Sequence, residues 1–191
     1  YAKMFELAEH RIAEGASLFA FEQVLEASHF DELLEPAGKI KGGFGRNARS
    51  YINHVVHLLN LRWALRLRFV RGMEREEAEQ FLVRGGDRKQ TAQIGAVLES
   101  EKLADAVSRI EEMTELGLSP AASIRALDRA LRRAGGAWAR DGLKKNFFQF
   151  ASVFAYRDVR VQEVRDVMAI LIGKRQGRDV ETIRSHLGLV A

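Results

Sequence analysis

The residues best able to do chemistry in this chain are basic. Across residues 53–72, "NHVVHLLNLRWALRLRFVRG", an apolar run carries Arg62, Arg66, Arg68 and Arg71 together with His54 and His57. Two imidazoles three residues apart on a helix are able to share a metal, but no third ligand stands at helical spacing, so no metal site is expected. Glu76 and Glu77, like Glu111 and Glu112, are sequence neighbours. Neighbours on a helix point in different directions, which denies them the geometry of an acid/base couple. No serine sits in a nucleophile elbow. The chain has no cysteine, which removes disulfides and thiolate chemistry and fits a cytosolic protein. The expectation is therefore a non-enzyme without a cofactor. What remains is guanidinium chemistry, a planar fork that grips a carboxylate or phosphate with two bonds.

The cations are unevenly placed. Between Pro36 and Met73 there is no acid, yet Lys39, Lys41, Arg46, Arg49 and the four arginines above all fall there. Such a block implies either an anionic partner or carboxylates brought in from elsewhere in the fold. Phe44 and Tyr51 are interleaved with these cations, so a basic, all-helical nucleic-acid-binding or adaptor protein is the alternative reading. Against nucleic acid, no recognised helix-turn-helix or RNA-binding module is present, and the rest of the chain is nearly balanced in charge.

The elements that position these groups are helical. Hydrophobic residues make up 47% of the 191 and charged residues 29%, the balance of a globular protein. Only Pro36 and Pro120 interrupt. The spacing predicts helices over 2–13, 17–35, 48–71, 74–83, 88–98 and 100–116, a helix begun by Ser119 and Pro120, one or two helices over 144–173, and a last one over 180–187 capped by Asp179. "GKIKGGFGRN" (38–47) reads as a glycine-rich basic loop, and its "GGFG" lacks the context of a phosphate-binding loop. No segment alternates with period two, so the fold class is all-α. Apolar stretches are too short to span a bilayer. The chain opens on Tyr1 rather than Met, which suggests that the natural beginning is missing.

On the helix predicted for 48–71, Val55, Leu58, Leu59, Leu65, Phe69 and Val70 share a broad face that includes Arg62 and Arg66. His57, Asn60, Arg68 and Arg71 fall opposite. A guanidinium inside a core needs a carboxylate. The expected partners are Glu163 and Asp166, flanking a stripe of Val161, Val164, Val167, Met168 and Leu171 that reads as buried. Arg125, Asp128, Arg129, Arg132 and Arg133 form the solvated face of the helix that buries Ile124, Leu127, Leu131, Ala134 and Trp138. The aromatic group Phe147, Phe148, Phe150, Phe154 and Tyr156 reads as core. Two stretches share one plan at an offset of about 105 residues: a polar residue (Asn60, Asp166), an apolar helix, a basic cluster, a glycine (Gly72, Gly177) and a short helix. That predicts two similar units, 48–117 and 118–191, after an N-terminal remnant, 1–47.

"LLNLRWALRLRFVRGMEREEAEQFLVRGG" resembles the Asn-x-Arg helix, glycine and acidic helix of the C subunit of V/A-type rotary ATPases, related to the d subunit of the vacuolar proton pump. "EVRDVMAILIGKRQGRDVETIRSHL" resembles the C-terminal signature of the same family, with Asp166 where Asn is usual and His57 where an acid is usual. The resemblance covers most of 50–190. It implies a non-catalytic, funnel-like helical socket at the cytoplasmic face of the membrane, whose partners are central-stalk subunits and the proteolipid ring. Members have three similar helical domains, of which two are visible here. Arg68, Arg71, Arg125, Arg129 and Arg132 are the candidate partner contacts.

Overall fold

The computed structural model describes residue 6 and residues 18–86, 88–119, 122–145 and 149–188. Among these the chain is all-helical: α1 (Leu18–Lys39), α2 (Gly42–Phe69), α3 (Arg75–Glu79), α4 (Arg88–Leu98), α5 (Leu103–Thr114), α6 (Ile124–Lys145), α7 (Phe150–Arg175) and α8 (Val180–Ser185). Of the helix expected over 2–13 only residue 6 is described, and Pro120, Phe147 and Phe148 lie outside the described residues.

The glycine-rich segment 38–47 is a turn rather than a loop. Only Ile40 and Lys41 separate α1 from α2. Gly42 takes a left-handed φ of 75°, and a Cβ on Gly45 would lie 1.9 Å from the Ile40 carbonyl oxygen. Glycine here permits a tight reversal between two helices, where composition alone suggests open chain. α6 begins later than expected, at Ile124, with Ser123 Oγ accepting from Ala126 N at 3.3 Å. Asp179 caps α8 as expected, its carboxylate accepting from Thr182 N at 2.8 Å.

α2 is the central element. α1, α4, α6 and α7 all pack on it. One apolar cluster joins Leu58, Leu61 and Leu65 of α2 to Val97 and Leu98 of α4, Val107 and Ile110 of α5, and Leu127 and Leu131 of α6. A second joins Ile52, Val56 and Leu59 to Ala37 and Val83, and a third joins Tyr51 to Ala151 and Ala155 of α7. Because neighbours surround α2, its middle has no polar face, and His57 and Asn60, expected on a polar side, are buried. Val70, expected with the apolar face, is exposed at the helix end.

Asn60 shows why a polar residue belongs there. Its side-chain amide donates to the Val83 carbonyl at 2.9 Å and its carbonyl accepts from Val83 N at 3.0 Å. This one side chain satisfies both backbone groups of a residue after α3, inside the core, where an unpaired group is costly. Asn60→Ala should cost about 2–4 kcal/mol in urea unfolding, because two buried groups lose their partners. Asn60→Asp should recover only part of it, since a carboxylate can accept from Val83 N but cannot donate to the Val83 carbonyl.

Candidate functional site

Arg62 sits one turn beyond Leu58 on the α2 face that meets α6, and Arg66 one turn further. Opposite them α6 carries Asp128, next to the buried Leu127 and one turn before Arg132. Asp128 Oδ1 accepts from Arg62 Nε at 2.8 Å and from Arg66 at 3.3 Å, and Oδ2 accepts from Arg132 Nε at 2.8 Å. One carboxylate thus binds three guanidiniums from two helices. Only 16% of the Asp128 side chain and 19% of that of Arg62 is accessible to solvent, against 40% for Arg66. The Arg62 end is therefore the dry end of the tie. Burial acts to raise the Asp128 carboxyl, but the Arg62 bond and the charges of Arg62, Arg132 and Arg66 outweigh it and hold the group below the usual carboxylate range. Arg66 also lies over the Trp63 ring, its guanidinium 5.7 Å from the centroid.

Glu163 and Asp166, the carboxylates expected here, are engaged elsewhere. Glu163 pairs with Arg160 on its own helix. Asp166 is buried and accepts from Gln162 at 2.8 Å and from Gly188 N at 2.9 Å, which ties α7 to the segment after α8. The reason is topological: α6 rather than α7 covers this part of α2. Asp128 stands among Arg125, Arg129, Arg132 and Arg133 in the sequence, a setting that reads as a solvated face. A signal was present, since Asp128 is the only acid between Ser119 and Arg140 and it borders the Leu127–Leu131 stripe.

The candidate partner contacts line different features of the structure. Arg71 and Arg125 line an open groove of about 530 Å³ with Trp63, Arg66, Val70 and Ile124. Arg129 and Arg132 line a separate recess beside Arg165 and Asp166. Arg68 is drawn inward: it donates to the carbonyls of Ser100 and Met73 at 3.3 and 3.2 Å and pairs with Glu74 at 3.0 Å. It holds the α2 end against α3 and the α4–α5 turn. A further cavity of about 240 Å³ lies between α1, α2, α6 and α7, lined by Val55, Leu58 and Leu131 together with Arg62, Arg157 and Arg165.

The histidine pair is likewise absorbed into packing. His54 stacks on Trp138 with ring centroids 3.9 Å apart and planes inclined by 28°. Burial, with the His57 ring adding to it, lowers its pKa to about 4. No group of three or more histidine, aspartate or glutamate side chains placed to hold a metal occurs among the described residues. Tyr51 donates to Asp158 Oδ2 at 2.9 Å, linking α2 to α7; burial raises both groups above their ordinary ranges.

The fold and this pattern of helix ties can be set beside known proteins. The model of the ATP synthase (C/AC39) subunit family matches residues 1–186, and the chain belongs to that family, a subunit of V/A-type rotary ATP synthases. No curated protein and no solved structure matches it. Among the described residues no helix is long and apolar enough to cross a membrane.

Removing one partner of a largely buried pair strands the others. Asp128→Asn should therefore cost roughly 2–4 kcal/mol of unfolding free energy, and its effect should be strongly non-additive with Arg62→Met in a double-mutant cycle. Because the native carboxyl is held low, the contribution of the tie is intact above its unfolded pKa near 4 and is lost as pH falls through the lower native value. His54 acts in a higher window. Its native pKa near 4 lies below the ordinary 6.5, so the unfolded chain binds the proton first and stability falls as pH drops from 6.5 towards 4. His54→Phe keeps a ring on Trp138 and should flatten that part of the melting-temperature profile.

Proposed function

We propose that this chain is a non-catalytic rotor element of its complex, a helical socket that passes torque between the central stalk and the proteolipid ring at the cytoplasmic face of the membrane and so keeps ATP turnover coupled to H⁺ or Na⁺ transport. Membership of the C/AC39 family carries this reading. A torque-bearing part must resist sliding of one helix over another. The three-cation tie on Asp128 and the Tyr51–Asp158 bond both cross helix boundaries, which supports that role. The alternative reading as a nucleic-acid-binding protein loses ground, because Arg62, Arg66 and Arg68 of the acid-free stretch spend their bonds on the protein's own carboxylates and carbonyls.

We also propose that residues 48–117 and 118–191 are two copies of one unit. Asn60 accepts a bond from a backbone N–H 23 residues downstream, and Asp166 accepts one from 22 residues downstream. Gly72 and Gly177 follow α2 and α7 with left-handed φ of 68° and 64°. These correspondences fall at offsets of about 105 residues and support the duplication.

The coupling role is tested by recovering the tagged chain from its own cells and identifying co-purifying proteins by mass spectrometry. Stalk and proteolipid subunits should be enriched together, and nuclease treatment should leave the set unchanged. Recovery of nucleic acid with neither class of subunit overturns the reading.

A further inference from the structure

Among the described residues nothing covers the outer face of α7. Val164, Val167, Met168, Leu171 and Ile172 form its C-terminal apolar stripe, and they are 64, 55, 51, 58 and 48% exposed. Their spacing predicts a buried stripe, and the structure leaves it exposed. Their summed exposure is roughly 500 Å², at the upper end of what a monomer leaves open in one patch. Along the same line Arg160, Val164, Val167, Leu171 and Lys174 follow at steps of four, three, four and three, the spacing of a seam that meets another helix side by side. α8 does not serve, since it packs on the opposite side of α7, with Ile183 against Gly173.

The first unit shows how the equivalent surface is completed. Aligning Asp166 with Asn60 sets Val164, Val167 and Leu171 level with Leu58, Leu61 and Leu65. Those three leucines are 6, 0 and 1% exposed, in the cluster built with α4, α5 and α6. The same register is therefore covered by amphipathic helices in one unit and bare in the other. The C-terminal end of the bare seam is cationic, with Lys174 and Arg175. Glu163 beside the seam is already paired with Arg160. This charge pattern favours an incoming element with acids where it meets Lys174 and Arg175, and disfavours a second copy laid parallel on the same face, which would set those cations against each other.

We propose that the α7 face from Val164 to Arg175 is a docking site for an amphipathic helix of another polypeptide, apolar along one stripe and acidic at the end that meets Lys174 and Arg175, seated as α4 and α6 are seated on α2. The site stands on the α7 geometry and on the register shared with α2, independently of the coupling role. A helix with acids at that end gains both the apolar contact and the cation pairs. An anionic bilayer shares the charge but has no use for a seam of alternating three- and four-residue steps.

The chain has no cysteine, so Val167→Cys introduces a single reporter thiol. In the chain alone, at low micromolar concentration, this thiol should react with a maleimide as an exposed one. A designed helix of about three heptads, with leucine core positions and glutamate flanks, should slow the reaction at least tenfold. Its lysine-flanked twin should slow it by less than a factor of two. Adding Lys174→Glu and Arg175→Glu should exchange the preference for the two peptides. Leu171→Asp should abolish protection while leaving circular dichroism and melting temperature unchanged, since the residue is exposed. The proposal is overturned if the thiol is already protected in the dilute chain, if protection appears with chain concentration and no peptide, if anionic phosphatidylserine vesicles protect and neither peptide does, or if neither peptide nor vesicles protect.

Discussion

A buried guanidinium needs an anion, and in this molecule one carboxylate serves three of them. Asp128 fixes α6 against α2 at a defined height, because Arg62, Arg66 and Arg132 all reach the same pair of oxygens. The apolar contacts around it, Leu58 and Leu61 against Leu127 and Leu131, tolerate small slides, as dispersion contacts do. The charge-assisted bonds do not tolerate them, since each is directional. With α2 held in register, its other surfaces become fixed platforms: α4 and α5 on one side, α1 on another, and α7 through the Tyr51–Asp158 bond.

The same logic recurs on a smaller scale. Asn60, Arg68 and Asp166 each use a polar side chain to fasten a stretch of backbone that has no ladder or helix to satisfy it. An all-helical chain has this difficulty wherever a connection runs under a helix rather than over the surface, because the connection carries unpaired amides. A side chain that meets an amide at a fixed place removes the penalty and also chooses one packing over its neighbours. The polar residues within this core are therefore specific as well as costly.

The fold class was legible in the sequence because helical periodicity runs through almost every segment, and the cap on α8 was legible because Asp179 bonds within its own turn. The inward placement of Arg62 was legible for the same local reason: its position follows from the period of α2 alone. The identity of its partner was not, because that depends on which distant helix lies opposite, and a lone aspartate among arginines looks solvated until α6 is laid on α2. His57 and Asn60 were misplaced because a single projection assumes one wet side, while α2 has neighbours all round. The α7 stripe was misjudged in the other direction. Val164, Val167 and Leu171 have the pattern of a buried face, and pattern cannot say whether the covering helix belongs to the same chain.

The stacking of His54 on Trp138 has a consequence outside stability. The chain has two tryptophans. Trp63 lies beneath the permanent cation of Arg66, and Trp138 lies against an imidazole that gains charge only in acid. Both indoles flank the junction of α2 and α6, one beside a constant field and one beside a switchable field. Ultraviolet emission from this protein is therefore a native gauge of how those two helices sit together, read without any added dye.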